Sequence, residues 1–194
     1  MMKIGLIGED PNDTDSLKNL LLQKHTGAFH FMQLLRNKRG HQLDNARIEA
    51  ALKIEFERKS PDYIVFIRDA DGLPSQYEKV EKVNKWFQKL NTTVQGKGIL
   101  LMNIYELEAM ILADIQTFNK LYGVKINFKA NPMYKVEPKE FLIEKTSKGN
   151  KQYSESHCPE IFRRLNFDVV IENCDFFKAL YDGFLIRLGL AKRT

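Results

Sequence analysis

The sequence predicts an α/β protein: a mostly parallel four-stranded sheet, helices on both faces, and a small helical C-terminal extension. Two observations carry this. Apolar runs at residues 3–8, 28–35, 62–67 and 98–104 alternate with amphipathic stretches, giving the order β-α-β-α-β-α-β-α. The run at 62–67 (Asp-Tyr-Ile-Val-Phe-Ile) is β-branched and aromatic almost throughout. Such a run suits a parallel strand covered on both faces.

Residues 3–8 lack a helical period and are bounded by glycine, as a buried strand is. Asn12 or Asp13 is placed to cap the next helix, whose apolar stripe is Leu17, Leu20 and Leu21. Residues 28–35 alternate and carry two phenylalanines. The stretch Arg36-Asn37-Lys38-Arg39-Gly40-His41 then reads as a basic turn. Asp44 or Asn45 opens a helix with Ile48, Leu52 and Phe56 on one side, and Ser60-Pro61 ends it. Residues 75–90 form a helix with Glu78–Lys82 and Glu81–Lys85 at pair spacing, and Trp86 shares a core-type face with Val83 and Leu90. Residues 98–104 supply the fourth strand and 106–114 a further helix. Past Gly123 the pattern loosens. Short helices are expected at 138–146 and 155–165, and a last one at 174–188 carries Phe177, Leu180, Tyr181 and Phe184. The chain therefore divides into an α/β core, 1–122, and a Lys-rich loop with a helical extension, 123–194, packed on it.

Composition excludes several classes. With 194 residues, 43% hydrophobic and 28% charged, the chain is an ordinary globular protein long enough to bury a core without staples. Two cysteines are too few for a disulfide scaffold. His157-Cys158 with Cys174 lacks the fourth ligand and the spacing of a zinc site. No segment carries the Gly-Lys-Ser/Thr ending of a P-loop. No apolar run approaches the ~18 residues of a membrane span. The apolar start soon meets Glu9, Asp10, Asp13 and Asp15, unlike a secretory signal, so a cytoplasmic protein is expected. The net charge of +5 is matched by residues 120–151 alone, which hold eight lysines against three acids. With Phe128, Tyr134 and Phe141 interleaved, that stretch is either a track for a phosphate backbone or a solvated face with aromatic anchors.

The acids have a sharper placement. In an open parallel sheet, ligands bind at the carboxyl ends of the strands. Strand one runs into Glu9-Asp10, strand three into Arg68-Asp69-Ala70-Asp71-Gly72, and strand four into Glu106-Leu107-Glu108. Carboxylates gathered on one edge repel one another unless a cation lies between them. Oxygen ligands with few histidines select hard cations, Mg²⁺ or Mn²⁺. Asp-x-Asp in a turn lets both carboxylates converge, with Gly72 as a flexible exit. Glu106 and Glu108, two apart on a helix, would face differently, so one of them serves the site. Glu9 and Asp10 have a plainer reading as acids favouring a helix N-terminus.

Two families resemble this pattern. The run Ile4-Gly5-Leu6-Ile7-Gly8-Glu9-Asp10 looks like the first strand and acidic pair of a two-component receiver, with Asp69 as phospho-acceptor. The chain departs from receivers in its long Glu9-to-Asp69 separation and in Asp-Ala-Asp-Gly where a methionine-proline turn is usual. It also lacks a Ser or Thr switch at the end of strand four. Gly8-Glu9, Asp69-Ala70-Asp71 and Tyr105-Glu106-Leu107-Glu108-Ala109 more closely resemble the Toprim fold, and within it the small bacterial Toprim-like proteins associated with phage-defence ATPases. Lys151-Gln152-Tyr153 and Cys174-Asp175-Phe176-Phe177 extend that resemblance over residues 3–185. The family's usual tryptophan is replaced by Met110. The resemblance implies a Toprim-like (Rossmann-like) sheet and a Mg²⁺-dependent (or Mn²⁺-dependent) nuclease acting on nucleic acid, DNA-binding and working with a partner ATPase. It implies Glu9 as general acid/base, Asp69 and Asp71 as metal ligands, and Glu106 or Glu108 completing the shell. Arg68 and a lysine of 120–151 are then the expected grips on the phosphate backbone. The alternative is a non-catalytic Mg²⁺-binding signalling or interaction module.

Overall fold

The structure, a computed structural model, describes residues 1–36, 38 and 40–191. Strands β1 (Met2–Ile7), β2 (Phe29–Gln33), β3 (Tyr63–Asp69) and β4 (Gly98–Asn103) form one sheet in the order β2-β1-β3-β4. Every neighbouring pair is parallel, so the expected mostly parallel sheet is wholly so among the described residues. The fold is α/β and Rossmann-like.

The alternation of β3 divides the core. Val65 and Ile67 join a cluster with Leu17, Leu20 and Leu21 of α1 (Pro11–His25). Ile64 and Phe66 join Leu52 and Phe56 of α2 (Ile48–Lys59) and Leu90 of α3 (Tyr77–Thr93) on the opposite face. Successive side chains of a strand point to opposite faces, so a run apolar throughout is buried twice. Each fully buried side chain of this size contributes about 2–3 kcal/mol.

Helix starts differ from the sequence reading in instructive ways. The first cap is Asp10, not Asn12 or Asp13: its side chain accepts from the Asn12 amide at 2.8 Å, and Asp13 accepts from the Asp10 amide at 2.9 Å. Two acids thus satisfy each other's backbone donors. Before α2, residues Gly40–Asp44 form a 3₁₀ turn, and Asn45 spends its side chain on the Arg47 amide at 2.9 Å. The helix therefore opens at Ile48 rather than at Asp44 or Asn45. Ser60 ends it in the left-handed region, φ 46°, and Pro61 follows. Of the basic turn at 36–41, Asn37 and Arg39 lie outside the described residues.

The C-terminal part is more helical than the sequence reading. α4 (Ala109–Ala113) has five residues, and 106–108 form a turn before it rather than helix. Asp114 stops α4 and caps α5 (Ile115–Tyr122) by accepting from the Thr117 amide. Then come α6 (Pro138–Thr146), α7 (Cys158–Arg164), α8 (Phe167–Asn173) and α9 (Asp175–Arg187). The sequence reading places no element at α8; its β-branched Val169, Val170 and Ile171 are modest helix formers, and the Asn166 side chain caps it. α1 and α7 pack together, tied by Asn19 to the Pro159 carbonyl at 2.7 Å and Gln23 to the Leu165 carbonyl at 2.8 Å. One apolar cluster runs from Ile4 through Met110 and Phe118 to Phe162 and Phe177. No helix among the described residues is long and apolar enough to cross a membrane.

Candidate site at the carboxyl edge of the sheet

Because all four strands are parallel, their carboxyl ends share one edge. The loop after β1 brings Glu9, Asp10 and Asp13, β3 ends on Asp69, and its neighbour β4 ends on Asn103, in register with Asp69. The turn after β4 brings Glu106 and Glu108.

Four carboxylates from these loops influence one another. Burial pushes Asp69 well above the usual aspartate range, and the charges of Asp13, Glu9 and Glu108 add to it. The Asn103 side-chain amide opposes the rise by donating to Asp69 Oδ1 at 2.8 Å. Asn103 is itself fully buried, and its Oδ1 has no partner. Asp13 is pushed up to about 7, by burial first and then by the charges of Glu108, Asp10 and Glu9, against the donation it receives from the Asp10 amide. Glu108, 6% exposed, is likewise pushed up to about 7 by burial, with the Glu106 charge adding. Its Oε1 accepts from the Tyr153 hydroxyl at 3.1 Å, and that hydroxyl also lies 2.9 Å from Cys158 Sγ. Burial raises Glu9 as well, against the pull of Arg68. A buried carboxylate among like charges keeps its proton to higher pH.

The flank toward α3 is built differently. Arg68 Nε meets Glu9 Oε1 at 2.8 Å, and Nη2 meets Asp44 Oδ2 at 3.1 Å. The guanidinium covers the Trp86 ring at 4.9 Å, while Trp86 Nε1 donates to the Leu43 carbonyl at 3.1 Å. Arg68 Nη1 is buried without a partner. The arginine expected to grip a phosphate thus already holds two acids. Trp86, read as core, is half-buried with Arg68 against its ring face.

The remaining expected residues separate. Asp69 is largely buried, whereas Asp71 is exposed in the left-handed region at φ 53°, its carbonyl accepting from Lys79 Nζ. Asp71's charge reaches Glu9. Glu106 accepts from the Lys139 amide at 3.0 Å and pairs with Lys139 Nζ at 3.5 Å, so Glu108 is the acid that joins the cluster. Among the described residues, no three His, Cys, Asp or Glu side chains are close enough to hold a metal ion as they stand. Several lysines of the 120–151 segment have local work. Lys139 pairs with Glu106, Lys135 and Lys145 lie over Phe141 at 4.9 and 5.4 Å, and Lys151 lies over Tyr122 at 4.9 Å. Both cysteines are free and buried.

Sequence reasoning missed Asp13, Asn103 and Tyr153 as members of this site. For Asp13 a signal existed: an acid four residues beyond Glu9 lies one turn into a helix that starts at the same edge. Asn103 had none, since it ends an apolar strand, and Tyr153, arriving from a segment remote in sequence, had only the Lys151-Gln152-Tyr153 resemblance, which gave it no role.

No curated protein and no solved structure matches the chain. Residues 9–185 match the family described as a domain of unknown function, DUF4276, a span that holds every carboxylate described above, and the chain belongs to that family.

Proposed function

We propose that this chain is a Mg²⁺-dependent, Toprim-type phosphoryl-transfer enzyme, acting as a nuclease on nucleic acid. The observation that supports this reading is the crowding of Glu9, Asp13, Asp69 and Glu108 at the carboxyl edge of a parallel sheet, each with raised proton affinity and with the charges of Glu9 and Glu108 acting on both Asp13 and Asp69. Crowded carboxylates of this kind are a site short of positive charge. The donor chemistry suits a hard divalent cation, since all are oxygens and the buried Asn103 Oδ1 has no partner within the protein. To hold one, the side chains would have to draw closer together than they stand. Asp13, Asp69 and Glu108 would hold the ion, with Asp71 and Glu106 at the margin. Bound there, magnesium would neutralise charge on a phosphodiester. Glu9 then has the acid/base role, because its raised proton affinity favours exchange of a proton at an attacking or leaving oxygen. Arg68, at 2.8 Å, fixes the orientation of that carboxylate.

The test is cleavage of single-stranded, duplex and supercoiled DNA, and of RNA, with Mg²⁺, Mn²⁺ or EDTA. Glu9→Gln and Asp69→Asn are each expected to lose cleavage by about 10²-fold or more. Mn²⁺ binding should survive Glu9→Gln and weaken in Asp69→Asn. Cleavage unaffected by both changes overturns the proposal. Mn²⁺ binding without any cleavage moves the chain to the non-catalytic metal-binding module, since holding an ion needs the aspartates and chemistry also needs Glu9.

A further inference from the structure

Beside the acidic edge, between the β3 turn and α3, lies a cavity of about 160 Å³ into which Arg68, Lys79, Lys82 and Trp86 project from its walls. We propose that this cavity is a phosphate-binding subsite, seating a phosphate next to the one processed at Asp69. The inference rests on the phosphoryl-transfer reading only for what lies beside it.

Three features point to an anion. Arg68 Nη1 is buried and has no acceptor within the protein, and a guanidinium N–H left this way seeks an anionic oxygen. Lys79 and Lys82, three apart on α3, share a helix face. Lys79 is anchored by donating to the Asp71 carbonyl, whereas Lys82 is exposed and makes no ion pair among the described residues. The acids in the same walls do not reverse this. Asp44 shares Arg68 with Glu9, and Asp69 is turned to the Asn103 amide. Asp71 is exposed at the rim, where its charge weakens phosphate binding until a cation is present.

Two further features favour phosphate over base. The cavity equals about five liquid waters in volume, room for a phosphoryl group rather than a whole nucleotide. The Trp86 ring face is covered by Arg68 at 4.9 Å and is not open to a stacking base. Both inorganic phosphate and a nucleic-acid backbone carry the required group.

Trp86 is the only tryptophan, so its fluorescence reports on this cavity directly. The whole protein is titrated with inorganic phosphate, with a short oligothymidylate and with thymidine. Ionic strength is held constant, once in EDTA and once at fixed Mg²⁺. Phosphate and oligothymidylate should give saturable changes, tighter with Mg²⁺, and thymidine none. A much tighter oligothymidylate response assigns the subsite to a backbone, and equal responses assign it to free phosphate. Lys82→Gln, a change at an exposed side chain, should weaken binding about two- to fivefold. Arg68→Gln should weaken it by about tenfold or more. No saturable response in either buffer, or an unchanged response in both variants, overturns the subsite. Cleavage without a Trp86 response defeats the subsite alone. A Trp86 response without cleavage defeats the enzyme reading alone.

Discussion

The two flanks of the acidic edge differ in one respect: one contains its own cation and the other does not. On the α3 side, Glu9 and Asp44 share Arg68, which is itself covered by Trp86. On the α1 side, Asp69 meets a carboxamide and Glu108 a phenol, neither of which carries positive charge, and the charges of Asp13 and Glu108 act on Asp69. The consequence appears in proton affinity. Asp13 and Glu108 rise to about 7, and Asp69 rises well above its ordinary range. Glu9, no less surrounded by acids, has Arg68 pulling the other way. A fold that places an arginine against two carboxylates can evidently supply a counter-ion. That it supplies none in contact with the other three, Lys139 acting on Glu108 only from its pair with Glu106, supports the view that an external cation belongs there.

Acidity is the strongest way to break this comparison. Unfolded, Asp13 and Glu108 titrate near 3.8 and 4.5; folded, both titrate at about 7. Between those limits the folded chain holds more protons than the unfolded one, so stability falls as pH rises through that window. In EDTA, unfolding free energy should drop by several kcal/mol between pH 4 and pH 8, toward an upper bound of about 7 kcal/mol for the two groups together, with one pK unit worth about 1.4 kcal/mol. Urea melts across that range measure it. Mg²⁺ should remove most of the drop, by binding the folded state at high pH. A flat profile in EDTA would mean that the α1 flank is as well compensated as the other.

The second test removes the built-in cation. Arg68→Met leaves Glu9 and Asp44 without a partner and takes the guanidinium from Trp86. A side chain 11% exposed between two partly exposed acids should cost about 2 kcal/mol at neutral pH, short of the full penalty for a buried pair. The cost should shrink as acid protonates Glu9, whose proton affinity is already raised by burial. A loss independent of pH would assign Arg68 to packing alone.

How much of this was legible in the sequence follows from which forces act locally. Parallel strands announce themselves because double-sided burial demands apolar residues at consecutive positions, as in Tyr63–Asp69. The acids at three strand ends were visible for the same reason: strand boundaries fix where the edge lies. What their side chains do was not visible. Whether Glu106 or Glu108 turns inward depends on Lys139, 33 residues away, which takes Glu106. The burial of Asp69 beside an exposed Asp71 depends on the left-handed turn at Asp71 and on Lys79 holding its carbonyl. Tyr153 reaches Glu108 from 45 residues further along the chain. Contacts of this range leave no periodic trace, and the segment between Gly123 and Cys158, where the helical pattern thins, supplies two of them.

The smallest expected effect has the opposite sign and so sharpens the comparison most. Asp69→Asn keeps an acceptor for the Asn103 amide at the position now 2.8 Å away, and keeps the side-chain shape. It deletes one of the mutually repelling charges on the uncompensated flank. At pH 8 in EDTA the variant should therefore be more stable than the parent by about 1 kcal/mol, the usual scale for relief of a buried like-charge contact. The gain should shrink toward acid pH, as the parent's Asp69 takes up its proton. Glu9→Gln, on the flank with its own cation, should gain less under the same conditions, because Arg68 already offsets part of the cost of that charge and loses a partner. Chemical denaturation of both variants at pH 8 and pH 4 gives the four numbers needed. If both variants gain equally, Arg68 is not offsetting Glu9; if both lose, the α1 acids are not repelling one another. A gain larger on the α1 flank would identify that side as the place where the fold itself is short of a positive charge.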